Sequence, residues 1–119
     1  MKEGVMSKAN VIVGYNKTFE VDVLKTFEYK GELFFVHNVI NHLGGGKNKN
    51  NFIVAHFKTG LWVANLFYYL NCKTILGAQR IAKKLMNNIG EVSFHNRIKK
   101  AYDQNGIING RQYEQSKRI

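Results

Sequence analysis

The sequence predicts an α+β domain: an antiparallel β-sheet of three to four strands over residues ~11–67, followed by two helices, ~74–90 and ~93–105, packed on one face. Three observations predict it. Apolar residues alternate with period two in the first half of the chain. The period lengthens to helical spacing after Tyr69. Proline is absent, so the turns fall on Gly and Asn, as at Lys30-Gly31 and Lys58-Thr59-Gly60.

The first strand signal runs from Phe19 to Tyr29, where Phe19, Val21 and Val23 alternate with Glu20 and Asp22. Lys30-Gly31 turns it into a second strand, Glu32 to Ile40, and the pair forms a hairpin. Val11 to Val13 is a short additional strand. Asn41 to Asn51 carries Gly44-Gly45-Gly46-Lys47 and no core residue, so it reads as a long mobile loop. Phe52 to Phe57 is a third strand and Leu61 to Leu66 a fourth, giving a meander. In the helical half, Thr74 is the N-cap of a helix with Ala78, Ile81, Ala82, Leu85, Met86 and Ile89 inward, and Gly90 is its C′ residue. A second helix, Ser93 to Asn105, turns Phe94, Ile98, Ala101 and Tyr102 inward and ends at Gly106. Residues 1–119 form a single domain with flexible ends, 1–10 and 109–119.

Composition narrows the function. Hydrophobic residues make up 45% of 119 residues, enough for one compact core and too much for a disordered tail. The longest apolar run, Leu61 to Leu70, is broken by Asn65 and falls far short of the roughly 20 residues a membrane span needs. The polar start, Met1 to Asn10, offers no apolar segment of a signal peptide. A single cysteine, Cys72, excludes an internal disulfide and fits a reducing, cytoplasmic setting.

The formal net charge is +10, and it is unevenly placed. Residues 1–32 hold five lysines and five acids. Residues 33–90 hold six lysines and one arginine with no carboxylate at all, and residues 91–119 hold six basic and three acidic groups. Such a one-sign stretch attracts polyanions and releases their counterions on binding. The outer face of the first helix gathers Arg80, Lys83, Lys84 and Asn87, without the acidic partners that usually brace a charged helix by i,i+4 pairing. Arg and Lys neutralise phosphates, and Arg and Asn also read base edges. Arg97, Lys99 and Lys100 face outward on the second helix, and Lys47 and Lys49 extend from the glycine loop as a basic finger. That loop is not a Walker loop, because Lys47 is followed by Asn48 and then by a strand.

The expected function is therefore a non-enzymatic nucleic-acid-binding protein with a regulatory or accessory role. It takes double-stranded DNA in preference to RNA, without cofactor or metal, through Arg80, Lys83, Lys84, Asn87, Arg97, Lys99, Lys100, Lys47 and Lys49. Two other readings compete. The basic surface suits an acidic protein partner, as an inhibitor or adaptor from a mobile element would bind. His37 and His56, if their strands pair, would supply acid and base for a metal-independent, toxin-like ribonuclease. No metal-ligand spacing joins His37, His42, His56, His95 and Cys72. Tyr15, Phe34, Phe35, Trp62, Phe67, Tyr68 and Tyr69 are the aromatic set, with Phe35 and Trp62 assigned to packing. If Leu66 to Leu70 is exposed, it supplies a homodimer contact.

Overall fold

The computed structural model describes residues 8–13, 17–40, 47–61 and 72–111. They form an antiparallel arrangement of five strands in two sheets, followed by two helices, so the α+β class is as the periodicity predicts. β1 (Lys8–Val13) and β2 (Lys17–Asp22) pair as a two-stranded sheet, with Val11 opposite Phe19 and Ala9 opposite Val21. β3 (Lys25–Tyr29), β4 (Glu32–Ile40) and β5 (Lys47–His56) form the second sheet in the order β3-β4-β5. The β3–β4 connection is a two-residue turn in which Lys30 and Gly31 both take positive φ, 49° and 85°. This geometry matches the twist of a tight hairpin.

The expected strand from Phe19 to Tyr29 is cut at Val23-Leu24, and the cut has a packing cause. In an unbroken strand Phe19, Val21, Val23 and Phe27 would share one face. The structure buries Val21 and Val23 in one core with Phe35, Ala55 and Phe57, and Phe27 in another with Phe34, Val36 and Val54. A straight strand cannot serve both, so the chain breaks, and Leu24 N–H donates to Val36 O to begin the second sheet.

β4 and β5 lie between these two cores. Phe34 to His37 are four consecutive buried residues, and Ile53 to Phe57 are five. Alternate side chains point to opposite faces. Phe34 and Val36 meet the helices, while Phe35 meets the β1–β2 hairpin. The result is three layers: hairpin, sheet, helices.

α1 (Ile75–Asn88) and α2 (Glu91–Asn105) cover one face of the second sheet; α1 starts one residue later and ends two residues earlier than the spacing predicts, while α2 starts two residues earlier and ends where expected. Thr74 caps α1, its hydroxyl accepting from Gly77 N–H at 2.9 Å. The stripe that α1 buries is narrow: Ala78, Ala82 and Met86, with Ile75, Leu85 and Ile89 packed beside them. Ile81, expected inside, is 40% exposed. At about 100° per residue it lies at the margin of a stripe whose centre is two alanines. α2 buries Phe94, Ile98 and Ala101, with Tyr102 half-buried, as predicted. Among the described residues no helix is long and apolar enough to cross a membrane.

The predicted fourth strand, Leu61 to Leu66, and the aromatic and apolar run that follows it to Leu70 fall outside the described residues, apart from Leu61. The ordered chain also reaches beyond the boundaries the sequence suggests. Lys8 to Asn10 belong to β1, and Asn109 is fully buried. Asn109 Nδ2 donates to Asn10 O at 2.8 Å and Phe57 O at 2.7 Å, and its Oδ1 accepts from Asn10 N–H at 2.8 Å. This one amide joins β1, the end of β5 and the segment after α2. Gly60 allows the close approach. A Cβ there would stand 2.6 Å from both Asn10 O and Ile108 Cδ1, and φ is +71°.

Asn109→Ala should lower stability by on the order of 3 kcal/mol, because it strands buried backbone groups of Asn10 and Phe57. Urea unfolding should show a lower midpoint with an unchanged m value. A shift under 1 kcal/mol would mean that the bracket is dispensable.

Candidate nucleic-acid interface

The basic residues of the helical layer follow from the packing of α1. With Ala78, Ala82 and Met86 fixed against the sheet, about 100° per residue places Leu76, Arg80, Lys84 and Asn87 on the outer arc, and all four are exposed. No residue of α1 is acidic. Lys83 sits at the edge of the arc and is half-buried. Its ammonium lies 5.5 Å from the centroid of the Phe27 ring, a cation–π contact. Asn87 is bonded as well: the Tyr29 hydroxyl donates to its Oδ1. Tyr29 is itself braced edge-on against Phe94, with centroids 5.1 Å apart.

On α2, Arg97, Lys99 and Lys100 are all exposed. They do not form one row. Arg97 and Lys100 share a flank, while Lys99 lies roughly 160° around the helix from Arg97.

Lys47 and Lys49 are not in a mobile finger. Both belong to β5, where Lys47 pairs with Ile40 and Asn48 with Val39. The physical reason is a register shift between Asn38 and Val39, which lets β4 and β5 continue pairing past Phe52. The glycines at 44–46 lie outside the described residues.

The two histidines expected to meet do not. β4 and β5 do pair, but His56 stands opposite Phe34 and His37 opposite Ile53. They therefore lie three positions apart and on opposite faces of the sheet. His37 faces the hairpin side beside Phe35, fully buried, with Nδ1 donating to Asn38 O at 2.7 Å. Burial pushes its pKa down to about 4.

His56 faces the helices in a row of polar groups. Nε2 donates to Glu32 Oε1 at 2.7 Å, and Nδ1 accepts from the Thr59 hydroxyl at 2.8 Å. The Tyr102 hydroxyl donates to the same Glu32 oxygen at 2.8 Å. These bonds hold the Glu32 carboxyl below its ordinary pKa against the opposing effect of burial. A hydroxyl–imidazole–carboxylate row resembles a catalytic relay in outline, but His56 and Thr59 expose no surface. Here it ties the end of β5 to β4 and α2. The sequence gives little sign of it, since Glu32 and Tyr102 are 70 residues apart.

His95 is exposed, 3.9 Å from Glu91. His42 lies outside the described residues. Among the described residues no group of three His, Cys, Asp or Glu side chains could hold a metal ion.

Comparison with known protein families, characterised proteins and solved structures finds no match for this chain.

Acid should destabilise the fold through His37. The unfolded imidazole titrates near its model value of 6.5 and the folded one at about 4. Between those values the unfolded state binds the extra proton, so stability falls as pH falls. From pH 7 to pH 5 the loss should be about 2 kcal/mol by urea unfolding. Below about pH 4.5, protonation of Glu32 removes a further increment. In His37→Leu the loss between pH 7 and pH 5 should shrink by most of that amount. An undiminished loss would place the acid sensitivity elsewhere.

Proposed function

We propose that this protein is a small, basic, non-enzymatic nucleic-acid-binding protein that prefers double-stranded DNA and acts in a regulatory or accessory role. The observation that carries the reading is the 58-residue stretch, 33–90, with seven basic groups and no carboxylate. Its helical part presents Arg80 and Lys84 outward with no acid on the same helix. A field of one sign over such a layer draws in a polyanion and gains from the release of its counterions.

The preference for a duplex is supported by the layering. Proteins that hold single strands stack bases on exposed aromatic rings. Among the described residues, Phe34 and Phe35 of the second sheet are fully buried beneath the helices and the hairpin, so neither ring serves as such a platform. What the layering leaves outward is a basic helix about 21 Å long, of a diameter that a major groove admits. The principal contacts are Arg80 and Lys84, with Arg97, Lys99 and Lys100 from α2. Lys83 takes part once drawn off the Phe27 ring, and Lys47 and Lys49 assist from β5.

Binding to a short duplex should weaken steeply with salt, and the double variant Arg80→Glu/Lys84→Glu should flatten the log–log salt slope by about 2 for every sequence tried. A single-stranded oligonucleotide of equal length should bind less tightly. Absence of duplex binding at low salt would sink the proposal.

A further inference from the structure

We infer that the contact surface extends off α1 onto the edge strand β3, where Lys25 binds a DNA phosphate and Tyr29 fixes the direction in which Asn87 donates. This rests on the nucleic-acid reading above and adds to it residues from the charge-balanced third of the sequence.

The register of β3 against α1 carries the inference. β3 is the outer strand of its sheet, and Phe27 and Tyr29 lie on its helix-facing side, packed into the core beneath the helices. Lys25 alternates onto that same side. Lys83 stands over Phe27, and Asn87 is bonded to Tyr29. From Phe27 to Tyr29 is two strand residues, about 7 Å. From Lys83 to Asn87 is four helix residues, about 6 Å. The two elements therefore run alongside each other in the same direction. One equal step back brings Lys25 level with Gln79 and Arg80. A strand row and a helix flank thus lie together, with Lys25, Arg80 and Lys83 along them.

The acids of β3, of the start of β4 and of the start of α2 are turned away or engaged. Glu28 alternates to the other face of β3. Glu32 is held by His56 and Tyr102. Glu91 lies beyond Tyr29, 3.9 Å from Lys30. Lys25 is exposed, and no carboxylate among the described residues pairs with it. A strip of cations without acids is complementary to a phosphodiester backbone, which offers a charge at every step. Asn87 suits the same partner. Its oxygen is taken by Tyr29, so the amide nitrogen is the group left to point outward, and it is a donor.

The test compares Lys25→Gln with Lys17→Gln, which removes an exposed lysine from β2 in the hairpin layer. Affinity for a short duplex is measured over a salt series, with a thermal melt of each variant to confirm folding. Lys25→Gln should lower the salt slope by about 0.9, the value of one phosphate contact, and Lys17→Gln should leave it unchanged. Tyr29→Phe keeps the ring against Phe94 but releases Asn87. It should weaken binding about three- to tenfold, the worth of one hydrogen bond, at an unchanged slope. If the wild-type protein binds duplex and Lys25→Gln matches Lys17→Gln, the strip is not part of the interface. If the wild-type protein binds no duplex, the nucleic-acid reading itself fails. Polyglutamate that competes as well as duplex would assign the strip to an acidic protein and overturn the inference.

Discussion

The fold depends on a strand pair that is buried from both sides. β4 and β5 set Phe34 opposite His56, Phe35 opposite Ala55 and Val36 opposite Val54. Neighbouring residues along each strand serve different cores, so the pair needs two covers. The hairpin of β1 and β2 provides one and the two helices provide the other. Polar side chains caught between the covers must find partners there. His37 does so through Asn38 O, His56 through Glu32 and Thr59, and Asn109 through Asn10 and Phe57.

Layering of this kind turns a charge gradient along the chain into a difference between two sides of the molecule. The hairpin comes from the balanced N-terminal third, where Lys8 and Asp22 form an ion pair at 2.8 Å. The helices come from the acid-free stretch and the residues just after it. Glu91 and Asp103 are exposed on α2 and offset part of the charge of the helical side, and Glu32, at the border, is placed to offset more. It is drawn inward by His56 and Tyr102 instead. The helical side therefore keeps its positive field, and the proposed partner follows from that field rather than from the fold.

Period and spacing made the class, the helix faces and the β3–β4 hairpin legible from the residues alone. Phe94, Ile98 and Ala101 point inward as their spacing requires, and Lys30-Gly31 forms the turn. Three features were not legible, each for a physical reason. The break at Val23-Leu24 shows in the sequence only as Leu24 and Lys25 stepping out of an alternation that resumes at Phe27, because what changes there is the core it faces. The extension of β5 to Lys47 depends on a register shift, and pairing of polar residues leaves no hydrophobic signature. Asn109 looks like one more polar residue in a tail, and only its backbone partners, 52 and 99 residues away, make it a core residue. At the candidate interface, the exposure of Arg80 and Lys84 followed from helical period. The engagement of Lys83 and Asn87 did not, since it requires knowing that β3 lies beside α1.

That engagement bears on how the proposed interface would discriminate among DNA sequences. Reading a base pair takes two groups presented together, as when an asparagine offers oxygen and nitrogen to adenine. Asn87 has given its oxygen to Tyr29. Lys83 rests its charge over Phe27. Of the groups on the outer arc of α1, Arg80 alone is both exposed and shaped to read guanine in two places. The remaining cations are point charges, suited to phosphate. On the proposed reading, affinity would then come mainly from the backbone, and sequence preference would come from Arg80 and from how readily the duplex conforms to the helical layer.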